Sequence, residues 1–169
     1  FTTSTQFDPP VDAAVVSGAM GGTALTVSSP SGVFLAGQRI LIHQTQGAGA
    51  GQWELNTVSS YALGNIFTVD PLGHAYAAGG QVLVVPEFAS LTVNTGVTVN
   101  AKPWNGLTGG ILAFYVSGGA SIDGTLSASG TDGINSSAGG LTPGAVGGGF
   151  RGGAAMRIDS PNTAYQGEG

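Results

Sequence analysis

The stretch Leu91-Thr92-Val93-Asn94-Thr95-Gly96-Val97-Thr98-Val99-Asn100 decides the fold. Apolar and polar side chains alternate through it, broken only at the central Gly96. Successive side chains of an extended chain point to opposite faces, so the alternation sends one row into a core and the other into water. The pattern returns at Ala120-Ser121-Ile122-Asp123-Gly124-Thr125-Leu126-Ser127-Ala128, again with a glycine between two short runs. Short strands joined at glycine corners and recurring about every 20–30 residues indicate the coils of a parallel β-solenoid. The spacing predicts Leu91, Val93, Val97, Val99, Ile122, Leu126 and Ala128 inside. Thr92, Asn94, Thr98, Ser121, Asp123, Thr125 and Ser127 then form a polar outer row. Residues 111–116 are apolar throughout, which predicts a coil covered on both faces, by the first part of the chain or by another chain.

Upstream of Pro86 the texture differs. Runs rich in Val, Ile, Leu and Thr, bounded by Gly, Asn, Ser or Pro, predict strands at 24–27, 39–43, 52–60, 65–69 and 81–85, with a further short one at 13–16. Five or six short antiparallel strands within 23–86 suit a small barrel or sandwich. Helical runs are interrupted by Gly, Pro or β-branched residues within a turn or two, at about 1 kcal/mol for each internal Gly. The predicted fold is therefore all-β. An extended N-terminal arm (1–22) leads to a small antiparallel β-barrel or sandwich (23–86), a short parallel β-solenoid (87–130) and a Gly-rich segment (131–169). In that last segment Phe150, Arg151, Met156 and Ile158 predict packing on assembly rather than a free linker.

Composition narrows the function classes. The 169 residues include four Lys and Arg, nine Asp and Glu, two His, no Cys and 31 Gly. Arg39, Lys102, Arg151 and Arg157 are scattered singly, which excludes a phosphate-tracking surface and hence nucleic acid as a partner. A surface so poor in charge resists association weakly, which predicts burial by neighbouring copies. The lack of Cys removes disulfides, cysteine-ligated zinc and thiol catalysis. No apolar run approaches the roughly 18 residues of a membrane helix. The chain starts at Phe1 without a leader and stops in Gln166-Gly167-Glu168-Gly169 without a closing signal, so a piece of a longer, secreted protein is expected.

Chemistry-bearing residues are few. His43 and His74 are the only imidazoles; His43 is expected on the strand face opposite Ile40 and Ile42, and His74 in a turn with its ring on Tyr76. No metal-binding histidine spacing and no Gly-x-Ser-x-Gly elbow occurs, and the glycines at 147–153 lack the lysine of a phosphate loop. The carboxylate pool of Glu54, Asp70, Glu87, Asp123, Asp132 and Asp159 has no two members within four residues, so paired acid–base chemistry would need stacking between coils. No cofactor is expected; the one metal option is a calcium ion at Asp123 and Asp132, against the simpler reading of Asp in turns bonded to its own backbone. Asn135-Ser136-Ser137 is a formal glycosylation sequon. Trp53 and Trp104 are candidate glycan contacts, with Trp104 before the turn pair Asn105-Gly106 also suited to plug one end of the solenoid.

Two sets of residues resemble known proteins. Residues 37–44, Trp53-Glu54, 68–72 and 76–85 resemble a small β-module of bacterial secreted and phage-associated proteins. Trp104-Asn105-Gly106-Leu107-Thr108-Gly109-Gly110-Ile111-Leu112-Ala113-Phe114, then 122–130 and Gly149-Phe150-Arg151-Gly152-Gly153, resemble the opening coils of Gly-rich β-helical surface proteins. The resemblance implies a secreted β-helical surface, adhesin-like or fibre protein. Such proteins run on for many coils, so the two or three present here must be capped or stacked on a neighbour. The expected function is a non-enzymatic extracellular or cell-surface structural protein that self-assembles into a fibre, filament or layer by strand-edge pairing. Phe1, Thr2, Thr3 and Phe7 of the arm are the expected assembly residues, donated to a neighbouring copy. A carbohydrate-binding adhesin or phage-fibre module is the alternative, and a fragment of a glycan-degrading β-helical enzyme the third reading.

Overall fold

The computed structural model describes residues 1–129 of the chain. Among these residues thirteen strands occur in the order β1 (Thr5–Phe7), β2 (Asp12–Gly18), β3 (Ala24–Ser28), β4 (Arg39–Gln44), β5 (Trp53–Ala62), β6 (Asn65–Thr68), β7 (Tyr76–Val84), β8 (Glu87–Phe88), β9 (Leu91–Val93), β10 (Thr98–Ala101), β11 (Tyr115–Val116), β12 (Ala120–Ile122) and β13 (Thr125–Ser127). The all-β architecture expected from the sequence is the one observed. It has an antiparallel part followed by a parallel part.

Strands β2 to β7 close a six-stranded antiparallel barrel in the order β2-β3-β6-β5-β4-β7. Alternation along β4 sends Ile40, Ile42 and Gln44 inward and Arg39, Leu41 and His43 outward. Ala13, Val15, Leu25, Val27, Val58, Ile66, Val82 and Val84 join them, and Phe34, Leu72 and Tyr76 help fill the interior. Bulges shift the register after Val15 in β2 and after Val58 in β5, turning Val16 out to solvent. Strand β2 lies within the segment read as an extended arm. Its partners β3 and β7 close the cylinder, so the barrel begins at Asp12 rather than at residue 23.

Strands β8, β9 and β10 make one coil and β11, β12 and β13 the next, stacked in parallel register: Glu87 beside Tyr115, Leu91 beside Ala120, Thr98 beside Thr125. The repeat is roughly 28 residues, within the range of stacked solenoid units. At the corner, Gly124 crosses the turn closed by Val97 N–H donating to the Asn94 carbonyl (3.0 Å). A Cβ there would collide with the Val97 and Asn94 carbonyl oxygens, so only glycine lets the second coil settle on the first.

Strand β1 pairs in parallel with β10 on the side away from β13, Thr5 beside Val99 and Phe7 beside Ala101. The Phe1 ammonium donates to the Thr92 carbonyl, and Thr98 N–H donates to Ser4 Oγ (2.9 Å). Phe1, Phe7 and Phe114 pack edge-on or tilted, with ring centroids 4.7 to 6.3 Å apart, over Val93, Val97 and Val99. Strand β1 is thus paired within this chain. Phe1 and Phe7 find the nearest apolar hollow, the end of the same solenoid.

Barrel and solenoid meet on the outer face of β2 and β7, where Asp12, Ala14, Gln81 and Leu83 are buried instead of facing water. Residues 102–110 lie across them. Lys102 Nζ donates to Asp12 Oδ2 (2.6 Å), and the Gln81 amide pairs twice with the Gly109 backbone (2.9 and 3.1 Å). Asn105 Oδ1 accepts from Leu107 and Thr108 N–H (both 2.9 Å), folding the Asn105-Gly106 turn foreseen from the sequence.

Candidate functional site

A groove of about 640 Å³ runs between the outer face of β4–β5 and residues 110–115. Its floor follows from strand register: His43 lies opposite Trp53 and Leu41 opposite Leu55, all on the face turned away from the barrel core. Its wall is the apolar run that the sequence reading took for a doubly covered coil. Only Tyr115–Val116 of that run is strand; residues 111–114 are half-buried, with Leu112 and Phe114 packed on the solenoid core. Trp53 is 58% exposed and Tyr115 42%, so the groove presents two open aromatic surfaces.

Charge is confined to one end. The Arg39 guanidinium lies 4.3 Å from the centre of the Tyr115 ring, and its Nε donates to Glu87 Oε1 (2.8 Å). Both members of the ion pair are partly solvated, so it contributes at most about 1 kcal/mol, and the cation–π contact about 0.5–1 kcal/mol more. The arrangement orients Tyr115 and leaves guanidinium and carboxylate edges open to a ligand. His43 Nδ1 lies 3.0 Å from Thr45 Oγ1, and burial lowers its pKa from the ordinary 6.5, favouring the neutral ring near pH 7. The groove can therefore stack on flat apolar faces and hydrogen-bond at one end, with little net charge.

The other singled-out residues fall elsewhere. Trp104 is 3% exposed, buried in the segment between barrel and solenoid, so it is a packing residue and offers no face for a glycan. Phe1 and Phe7 are half-buried against the solenoid core, while Thr2 and Thr3 are exposed beside them. His74 packs on Tyr76 as expected, ring centroids 6.3 Å apart at 87°. Among the carboxylates, Glu54 accepts from Gly73 N–H (2.6 Å), Glu87 pairs with Arg39, and Asp123 accepts from Ser121 Oγ (3.0 Å). Glu54 Oε1 and the Tyr76 hydroxyl are both buried, with no partner other than each other. Burial, then the Glu54 charge and a hydrogen bond to Glu54, hold the Tyr76 hydroxyl protonated far above its ordinary range. Among the described residues no group of three or more His, Asp and Glu is gathered to hold a metal. Asp132 and Asp159, like the sequon at Asn135, lie outside the described residues.

From the sequence Arg39 is an isolated cation, Glu87 a member of the carboxylate pool and Tyr115 one of several aromatics able to stack on a sugar; that the three meet is not written there. The one available signal was the placement of Arg39 opposite Ile40 in an alternating strand; nothing local brings Tyr115 to it.

Fold and groove together define an all-β protein in which a closed antiparallel barrel is joined, among the described residues, to two stacked parallel coils. No family model matches the chain, and no curated protein matches it. Among solved structures, the tailspike protein gp49 from Pseudomonas phage LKA1 is similar, with 17% identity and a TM-score of 0.36. That similarity covers 59% of this chain and 20% of the tailspike chain, so this chain spans only a fraction of that protein's length. No helix among the described residues is long and apolar enough to cross a membrane.

Proposed function

We propose that the chain is a non-enzymatic structural module of an extracellular or surface fibre, the barrel and β1 together forming the cap that starts a β-solenoid. The observation that carries this reading is the difference between the two solenoid ends. At one end β1 pairs with β10 and the phenylalanine cluster covers the core, with the barrel held alongside by the Lys102–Asp12 pair. At the other end β12 and β13 each have one strand neighbour among the described residues, leaving a row of unpaired backbone groups for further structure to use. A solenoid closed at one end and open at the other extends in one direction. Deleting residues 1–7 tests the cap: light scattering is expected to show association of the shortened chain through its bared β10 edge. A deletion variant as stable and monodisperse as the full chain would overturn the reading.

A second reading, glycan contact, is favoured by the groove. Trp53 and Tyr115 offer the aromatic faces on which sugar C–H faces stack, and the Arg39–Glu87 pair offers paired donors and acceptors for hydroxyls. A screen on an array of neutral oligosaccharides checks it. Binding is expected to be lost on Trp53→Ala and retained on Trp104→Phe, and equal loss in both variants would remove the groove from consideration.

A further inference from the structure

A chain of hydrogen bonds runs from the junction of barrel and solenoid to the floor of the groove, and it fixes where one proton sits. The Gln81 amide is oriented by backbone. Gly109 N–H donates to its Oε1 (2.9 Å), and its Nε2 donates to the Gly109 carbonyl (3.1 Å). Gln81 Nε2 directs its second proton to Thr45 Oγ1 (2.9 Å), which is the acceptor in that bond. The Thr45 hydroxyl keeps one proton to donate, and its partner among the described residues is His43 Nδ1 (3.0 Å). Gln81 and Thr45 are fully buried, so water does not compete for these protons. A neutral imidazole carries one proton; with Nδ1 accepting, that proton sits on Nε2. His43 Nε2 has no partner among the described residues and is not one of their sealed polar atoms, so its N–H opens on the groove that His43 lines.

We infer that this N–H makes the groove a site for N-acetylated sugars, with the acetamido carbonyl accepting from His43 Nε2. The inference rests on the glycan reading of the groove and deepens it. The donor stands beside an open aromatic face, because His43 and Trp53 are directly opposed across β4 and β5. Such neighbours lie about 5 Å apart at Cβ, comparable with the span from the centre of a pyranose ring to the end of its acetamido arm. A sugar ring stacked on Trp53 therefore brings the arm over His43. Leu41 and Leu55, the next opposed pair on the same face, offer an apolar seat for the acetamido methyl. A hydroxyl in the same place meets the donor but brings a proton of its own, which Leu41 and Leu55 cannot accept. A carboxylate finds no net positive charge, since Glu87 offsets Arg39 at the other end of the groove. An acetamido group joins an acceptor to an apolar end, and that is the pairing this floor presents.

Two measurements on the full chain test the inference. Near neutral pH, the NMR shifts of the ring nitrogens show which nitrogen of His43 carries the proton, with a His74→Gln variant assigning the two imidazoles. A protonated Nε2 and a bare Nδ1 are expected; the reverse overturns the inference whatever the chain binds. Titration calorimetry then compares tri-N-acetylchitotriose with cellotriose, which carries hydroxyls in place of the acetamido groups. The first is expected to bind about tenfold more tightly. His43→Gln keeps an N–H donor near the position of Nε2 and should hold most of that preference, whereas His43→Leu should reduce it to about twofold or less. Equal affinity for both sugars, lost on Trp53→Ala, would leave glycan contact standing and overturn the acetamido preference. Binding of neither sugar would remove the glycan reading and this inference with it.

Discussion

Replacing Lys102 by methionine removes the one cation that faces the Asp12 carboxylate across the junction. Asp12 lies on the outer face of β2, beside Leu83 of β7, and its side chain is 5% exposed beneath residues 102–110. Lys102 is less buried, at 23%, and its Nζ also reaches Thr108 Oγ1 at 3.4 Å. Methionine keeps the unbranched stem and its packing, so the main loss is electrostatic. Breaking a fully buried pair costs about 3–5 kcal/mol; the partial solvation of Lys102 reduces the expected loss to about 2–3 kcal/mol. With a urea slope of about 2 kcal/mol per molar, the unfolding midpoint should fall by about 1–1.5 M. Adding Asp12→Leu to Lys102→Met removes the stranded charge and should restore stability to within about 1 kcal/mol of the parent. Urea unfolding followed by tryptophan fluorescence reads both, since Trp104 lies in the covering segment. A single variant within about 0.5 kcal/mol of the parent would show that Asp12 is hydrated in solution. The junction between barrel and solenoid would then not be formed as described.

Two further outcomes are expected. His43 has its pKa lowered by burial from 6.5, so the folded state binds its proton less readily than the unfolded chain. Its contribution to stability is intact above pH 6.5 and is lost as pH falls below that value. A His43→Asn variant should therefore show a shallower loss of Tm between neutral and mildly acid pH, and an unchanged slope would refute the assignment. Tyr76→Phe deletes the buried hydroxyl beside Glu54 and leaves the buried Glu54 Oε1 without it. Thermal unfolding should show a loss of about 1–2 kcal/mol, and an unchanged Tm would mean that the hydroxyl and the carboxylate do not interact in solution.

Alternation was a dependable guide wherever one strand face met a core and the other met water. Leu91, Val93, Val97 and Val99 are buried as their spacing requires, and Ile40 and Ile42 point into the barrel with His43 outside, whereas Ile122, Leu126 and Ala128, assigned to the same inward row, are exposed. The guide weakened where both faces are covered. Ala13-Ala14-Val15-Val16 shows no period, because β2 is buried on the inside by the barrel and on the outside by the junction, and the sequence places it as a short strand within the arm rather than in the barrel. In β7 the Gly79-Gly80 pair looked like a break. The strand runs through it from Tyr76, since Gly80 has Val15 of β2 and Gln44 of β4 pressed close on either side.

The sequence by itself determined the all-β class, the change from antiparallel to parallel texture near Pro86, and the glycine corner at 124. Each is written in neighbouring residues, through side-chain period and backbone sterics. Tertiary structure alone decided where β1 docks, that Asp12 pairs with Lys102, and that Arg39 meets Glu87 and Tyr115 beside Trp53. Those partners lie tens of residues apart in the chain. Pairing over such distances depends on which surfaces closure of the barrel and stacking of the coils bring together, and no local pattern encodes that.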